Sequence, residues 1–206
     1  MSIEQMKKIA IYTREIIDKL SINKNKENPE IYRYFDKKEN NFIRVFQIKD
    51  IIEKGINIFG TIGVSEYDIS LKTDNLPLRV EFIALSNKSF SKSLNIESKI
   101  PNILSTCAFC IKNSNYKCYP GAIFLDVIEP FYPNTDMKHI LFTNLLPYMN
   151  ELKALYLEDK IVSWLLAVPI SEKEYLYSLD YGIEALETLL EKKQVDIANL
   201  DRKSII

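Results

Sequence analysis

The chain has 206 residues, 47% hydrophobic and 11% aromatic, with only five glycines and eight prolines. That composition fills a sizeable core and excludes disordered and fibrous classes. A formal net charge of −1 lacks the basic excess of a nucleic-acid binder, and three cysteines, an odd number, make no disulfide framework. Met1 to Lys8 is too polar for a secretory signal and no apolar run reaches membrane-spanning length, so the expectation is a cytoplasmic protein with reduced thiols and no membrane partner.

Ser2 to Leu20 reads as an amphipathic helix: Ile3, Met6, Ile9, Ile16, Ile17 and Leu20 share a face, and Ser2 with Gln5 fits a capping box. A polar loop, Ser21 to Glu30, leads to a half-buried strand, Ile31–Phe35. A charged turn then joins it to a second strand, Phe42–Ile48, as a hairpin. Ile56–Val64 is a third strand punctuated by Gly55, Gly60 and Gly63, with a short strand possible at Ile69–Leu71. Arg79–Leu85 is a strong strand. Ile96–Ile111 is helical, with Pro101 in its first turn, where proline is tolerated. Ala122–Ile128 follows as a strand after the Tyr119-Pro-Gly121 turn. His139–Phe142 is a short apolar run, and Glu151–Leu157 fits a strand or a short helix.

The stretch Trp164 to Tyr175 concentrates three signals. An apolar run, Ile161–Val168, suits a buried strand; Pro169 has no amide proton and should stop the ladder; Ser171 and Glu174 form a capping box that starts a helix toward Gly182. A second helix covers Ile183–Lys193, and the tail Asp196–Ile206 has room for a short final strand. Runs of strands with helices grouped between them indicate an α+β class, a mixed and mainly antiparallel sheet packed with helices. The polar gaps are short, so 1–206 reads as one domain.

Catalytic chemistry is sparse. Cys107, Cys110, Cys118 and His139 offer zinc-ligand types, but Cys107 and Cys110 fall inside an apolar helical run, where free cysteine packs as a small hydrophobe. His139 is the single histidine and has no partner carboxylate at a telling spacing, and no serine sits in a nucleophile elbow. Gly60-Thr-Ile-Gly63 lacks the lysine of a phosphate loop; its glycines suit a bulge or a close backbone approach. Glu66, Asp68 and Glu81 have no spacing that brings them together. No catalytic, metal or cofactor assignment follows. Charge is unevenly spread: residues 120–206 hold 8 basic and 14 acidic side chains, hence −6, which suits a basic partner.

Several segments occur together and in order: Gly60-Thr-Ile-Gly-Val-Ser65, Arg79-Val-Glu-Phe-Ile83, Ile103 to Phe109, Tyr119-Pro-Gly-Ala-Ile-Phe124, His139 to Phe142, Trp164 to Tyr175, Tyr181-Gly182 and Asp196 to Arg202. The set resembles the suppressor-of-fused domain family, specifically its bacterial single-domain members, over residues 56–206. The resemblance implies a mixed α/β fold and a protein-binding role without catalysis. The animal member is a larger two-domain protein that sequesters a transcription factor; this chain is too short for the second domain, so that partner is not carried over. Bacterial relatives are associated with immunity or antitoxin functions beside polymorphic toxins, some of them nucleases. The expectation is therefore a non-enzymatic immunity protein that binds a cognate toxin. The alternatives are a module sequestering another intracellular protein, and a zinc or thiol protein using Cys107, Cys110, Cys118 and His139.

Within the motifs, Gly63 and Gly121 are expected to serve backbone geometry, Trp164 packing, Pro169 strand termination, and Ser171 and Glu174 capping. Exposure and charge nominate Tyr119, Asp126, Glu129, Asp136 and Glu172 as partner contacts.

Overall fold

The computed structural model describes residues 3–20, 29–36, 41–51, 54–87 and 99–206. Among them the chain forms α1 (Ile3–Leu20), β1 (Glu30–Phe35), β2 (Phe42–Ile48), β3 (Ile56–Ile62), β4 (Lys72–Thr73) and β5 (Leu76–Asn87). It continues as α2 (Ile100–Ser114), β6 (Ile123–Phe124), β7 (Met137–Thr143), β8 (Leu155–Tyr156), β9 (Ile161–Ser171), α3 (Glu172–Tyr181) and α4 (Ile183–Lys192). The sheet runs β1-β2-β3-β5-β9-β7-β6, with β4 added to β5 and β8 to β9. Only β5 and β9 pair in parallel among the described strands, Leu78 opposite Ile161 through Ile83 opposite Leu166. A parallel pair cannot be closed by a tight turn, and the connection between these two contains α2, β6, β7 and β8.

Strand side chains alternate between faces, and both faces of this sheet are covered. On one side Val80, Phe82 and Ala84 of β5 with Leu165 and Ala167 of β9 meet Ile100, Ile103, Leu104, Cys107, Ala108 and Ile111 of α2. Phe82, Phe142 and Phe124 stack there with ring centroids 4.4 and 5.0 Å apart. On the other side Ile83 and Leu85 with Val162, Trp164, Leu166 and Val168 meet Ile9, Ile16 and Ile17 of α1 and Leu186 and Leu190 of α4. The period-2 pattern of β5 and β9 is thus read by two separate helical layers. α1 is also tied to β9 and to the turn before it: Tyr12 lies 5.5 Å from the Trp164 ring, and the Gln5 side-chain amide donates to Asp159 at 2.8 Å.

The sheet closes tightly at Gly60, where an added Cβ would overlap the Phe46 ring and come within 3.0 Å of Ile83. The close approach at this glycine is made by side chains, the Phe46 ring above all, and not by a second backbone.

Several boundaries differ from expectation. Ile31–Phe35 is a strand but an exposed edge, not a half-buried one, because β1 has a single neighbour. The strand expected over Ala122–Ile128 shrinks to β6, since Asp126 adopts a left-handed φ of 56° that breaks the ladder. The short pairing near Ile69–Leu71 falls instead at Lys72–Thr73, after Ser70 at φ 58° and before a turn through Asp74 and Asn75. Glu151–Leu157 resolves to β8.

Pro169 does not stop β9, which continues to Ser171. The β5 ladder ends at Leu166, so beyond it the strand pairs only with β7 and a residue without an amide proton is accommodated. The tail expected to offer a final strand forms none among the described residues. Ser2 of the proposed capping box and the first residues of the Ile96–Ile111 helix lie outside the described residues.

Candidate functional site

Two buried carboxylates explain why the ordered motifs recur together. Glu81, on β5, is fully buried. Its Oε1 accepts from the Gly63 and Ser65 amides at 2.8 and 3.1 Å and from the Ser65 hydroxyl at 2.7 Å. Its Oε2 accepts from the Thr61 hydroxyl at 2.7 Å and the Val64 amide at 3.3 Å. Gly63 has φ 117°, a conformation an L side chain would strain, and this is what turns successive amides onto one carboxylate. Burial pushes the Glu81 carboxyl up, opposed by these five donors, which favour the ionised form. Gly60–Ser65 and Arg79–Ile83 are therefore one structural unit. Glu66 and Asp68 do not join it: Glu66 is exposed, and Asp68 pairs with Arg79 at 2.9 Å.

The second carboxylate is Glu174. The capping box is present: the Glu174 amide donates to the Ser171 hydroxyl at 3.1 Å, and the Ser171 amide donates to the Glu174 carboxylate at 2.9 Å. Arg202 then reaches in from the tail, donating to both carboxylate oxygens at 2.6 and 2.7 Å and to the Pro169 carbonyl at 2.8 Å. The Ile205 amide adds a fourth bond at 3.1 Å, and Ser204 pairs with the Ser171 hydroxyl at 2.8 Å. Burial raises the Glu174 carboxyl, but the Arg202 guanidinium and the backbone donors outweigh it and leave it below its ordinary value. One side chain thus caps α3, anchors the tail and is neutralised in place.

The nominated contacts surround this junction. Asp126 and Glu172 are brought together by His139, which is buried on β7. The Asp126 amide donates to His139 Nδ1 at 2.9 Å, which places the ring proton on Nε2, and Nε2 donates to the Glu172 carboxylate at 2.8 Å. Both carboxylates are solvent-exposed. Glu129 and Asp136 are each taken up by a lysine, Lys138 at 3.1 Å and Lys203 at 3.3 Å, and Asp136 also accepts from the Ser204 amide at 3.3 Å. That amide first, then Lys203, holds the Asp136 carboxyl below its ordinary value. Tyr119 is exposed beside Gly121, whose amide donates to the Phe142 carbonyl at 2.7 Å. Gly121 has φ 97°, and a Cβ added there would lie 3.5 Å from Ile183 at the start of α4. Tyr119 and Asp126 therefore flank β6, at the sheet edge opposite β1.

The cysteines do not converge with His139. Cys107 and Cys118 are buried among apolar side chains, and Cys110 packs at the margin of the same cluster. Burial pushes all three thiols up. Among the described residues no group of three or more His, Cys, Asp or Glu side chains is arranged to hold a metal ion.

Arg202, Glu81 and the link through His139 escape sequence reasoning because each joins residues 13 or more positions apart. The available signals are ionisable residues set against apolar runs, Glu81 in β5 and His139 in β7, which in a buried strand demand partners.

A buried polar junction and an exposed acidic rim thus sit on a mixed sheet covered by helices on both faces, and comparison with known proteins places this chain among suppressor-of-fused domains. The chain belongs to this family: the family model "Suppressor of fused protein (SUFU)" matches residues 39–203. It is 36% identical over 178 residues to the immunity protein YqcF of Bacillus subtilis strain 168, covering 86% of this chain and 89% of that protein. Its fold is similar to that of a putative suppressor-of-fused homologue from Neisseria gonorrhoeae, with TM-score 0.67 and 17% identity over 100% of this chain and 98% of the other. It is also similar to a chain of the Sufu–Fu complex, with TM-score 0.63 and 12% identity over 96% and 90% of the two chains. Against Drosophila Suppressor of Fused the TM-score is 0.60 at 12% identity, over 95% of this chain and 49% of that one, so the chain spans about half of that protein. The fold likeness to the Neisseria chain extends over α1, β1 and β2, whereas the family model begins at residue 39. No described helix is long and apolar enough to cross a membrane.

Proposed function

We propose that this chain is a cytoplasmic immunity protein, acting as one domain, that neutralises a cognate protein toxin by direct binding and without catalysis. The observation that carries this reading is the 36% identity to an immunity protein across 86% of one chain and 89% of the other. The buried carboxylates are in keeping with it, because Glu81 and Glu174 are each held by donors of the fold. The −6 charge of residues 120–206 suits a basic toxin, and a nuclease is a basic protein of that kind. Tyr119, Asp126, Glu129, Asp136 and Glu172 are the proposed contacts, with Asp126 and Glu172 foremost because neither is paired to a lysine.

The test is co-expression with each toxin-like gene encoded beside this one. Growth is restored for one of them if the proposal is right. If no neighbour is toxic, or none is relieved, the proposal fails.

A further inference from the structure

The buried positions of α3 are polar: Glu174 is 0% exposed and Ser178 5%. Tyr175 and Tyr177 pack against the core beside them, while Leu176 and Leu179 stand outward at 48% and 63% exposure. An amphipathic helix that packs for stability turns its leucines inward. Here Arg202 fixes the inward side by two bonds to Glu174. Hydrophobic side chains left outward on a helix this firmly held are a mark of an interaction surface.

The surroundings say what fits it. The exposed charges on α3 and at the start of α4 are Glu172, Asp180 and Glu184 against a single basic residue, Lys173. Asp126 is joined to the same rim through His139. An apolar centre ringed by carboxylates complements a partner with an apolar centre ringed by Lys and Arg. A second copy of this chain is a poor match, because a two-fold contact through this face would set the acidic rims against each other.

From this face we infer that the outer surface of α3, centred on Leu176 and Leu179, is the hot spot that docks a basic protein toxin, with Glu172, Asp180 and Asp126 steering its approach. The inference rests on the immunity reading and adds the surface to it.

The probe is the catalytically inactivated form of the toxin that the wild-type chain relieves, measured by calorimetry and stopped-flow association. Leu176→Glu and Leu179→Glu, which alter exposed side chains, keep the wild-type melting curve and weaken binding at least about thirtyfold. Glu172→Lys with Asp180→Lys slows association and flattens its salt dependence. Ile31→Lys, on the opposite sheet edge, leaves binding unchanged. If the wild type binds the toxin while the α3 variants bind equally well, or Ile31→Lys alone abolishes binding, this surface is wrong and the immunity reading stands. A wild type that relieves no toxin removes the immunity reading, and this inference with it. Dimerisation abolished by Leu179→Glu would assign the face to a second copy and overturn the inference.

Discussion

Replacing Arg202 by methionine keeps most of the side-chain volume and removes both guanidinium bonds to Glu174, at 2.6 and 2.7 Å, and the one to the Pro169 carbonyl at 2.8 Å. Glu174 has no exposed surface, so its charge would remain buried with only the Ser171 and Ile205 amides as partners. Stranding one member of a buried pair costs about 3–5 kcal/mol, a large share of the roughly 5–15 kcal/mol by which domains are stable. The loss depends on pH with a definite sign. In the wild type the folded Glu174 carboxyl lies below its ordinary value, so its contribution is full above that value and disappears as pH falls through the folded one. In the variant, burial acts with far less opposition and raises the folded carboxyl, so the penalty is full near neutrality and shrinks as the carboxyl protonates. The stability gap is therefore wide at pH 7 and narrows toward pH 4. Urea unfolding followed by the fluorescence of Trp164, the single tryptophan and a core residue, reads this directly. A gap under about 1 kcal/mol at pH 7, or one that stays constant down to pH 4, would refute the locking role of Arg202.

Other outcomes follow from the same geometry. Glu81→Gln leaves at least one of the five donors facing an amide NH₂ and should cost about 2–4 kcal/mol in urea unfolding at pH 7; a neutral substitution would mean the cradle is not needed. Ser171→Ala removes the α3 cap and the bond to Ser204 and should cost about 1–2 kcal/mol, with the tail amides near Ile205 exchanging faster in hydrogen-exchange measurements. Gly60→Ala forces the Phe46 ring to move and should lower stability by about 1–3 kcal/mol. A thiol-reactive dye should label Cys107 and Cys118 only on unfolding, since burial holds both thiols protonated, whereas Cys110 is half-exposed and labels first. Rapid labelling of all three in the folded protein would contradict that packing.

What could be read in advance was local. The capping box at Ser171 and Glu174 is a four-residue pattern, and the apolar runs of β5 and β9 each announce a strand by themselves, whereas β7 showed only as a short apolar run. Even Gly60 carried its meaning, because a glycine inside a strand signals close approach. The parallel pairing of β5 with β9 could not be read, because it joins segments separated by α2, β6, β7 and β8. Pro169 misled for a related reason: proline ends a strand only where a neighbour needs its amide, and which neighbours β9 has depends on the whole sheet. The Ala122–Ile128 run is apolar enough for a longer strand, but Asp126 turns away to present its amide to His139.

The candidate site was half legible for the same cause. Charge and exposure pointed to Asp126 and Glu172, but their meeting through a histidine 33 residues from Glu172 is tertiary. Likewise Arg202 sits 28 residues after the carboxylate it neutralises. The outward leucines of α3 are visible in sequence as apolar residues. Their exposure is set by Glu174 turning inward, and that depends on the tail.

The most direct test of direct neutralisation is to mix the purified full chain with the purified, inactivated toxin encoded beside it and measure the complex by calorimetry and size-exclusion chromatography. A stoichiometric complex, formed by the wild type and lost in the same variants that fail to restore growth, is the predicted result. Growth restored by a chain that forms no complex with the toxin would contradict neutralisation by binding.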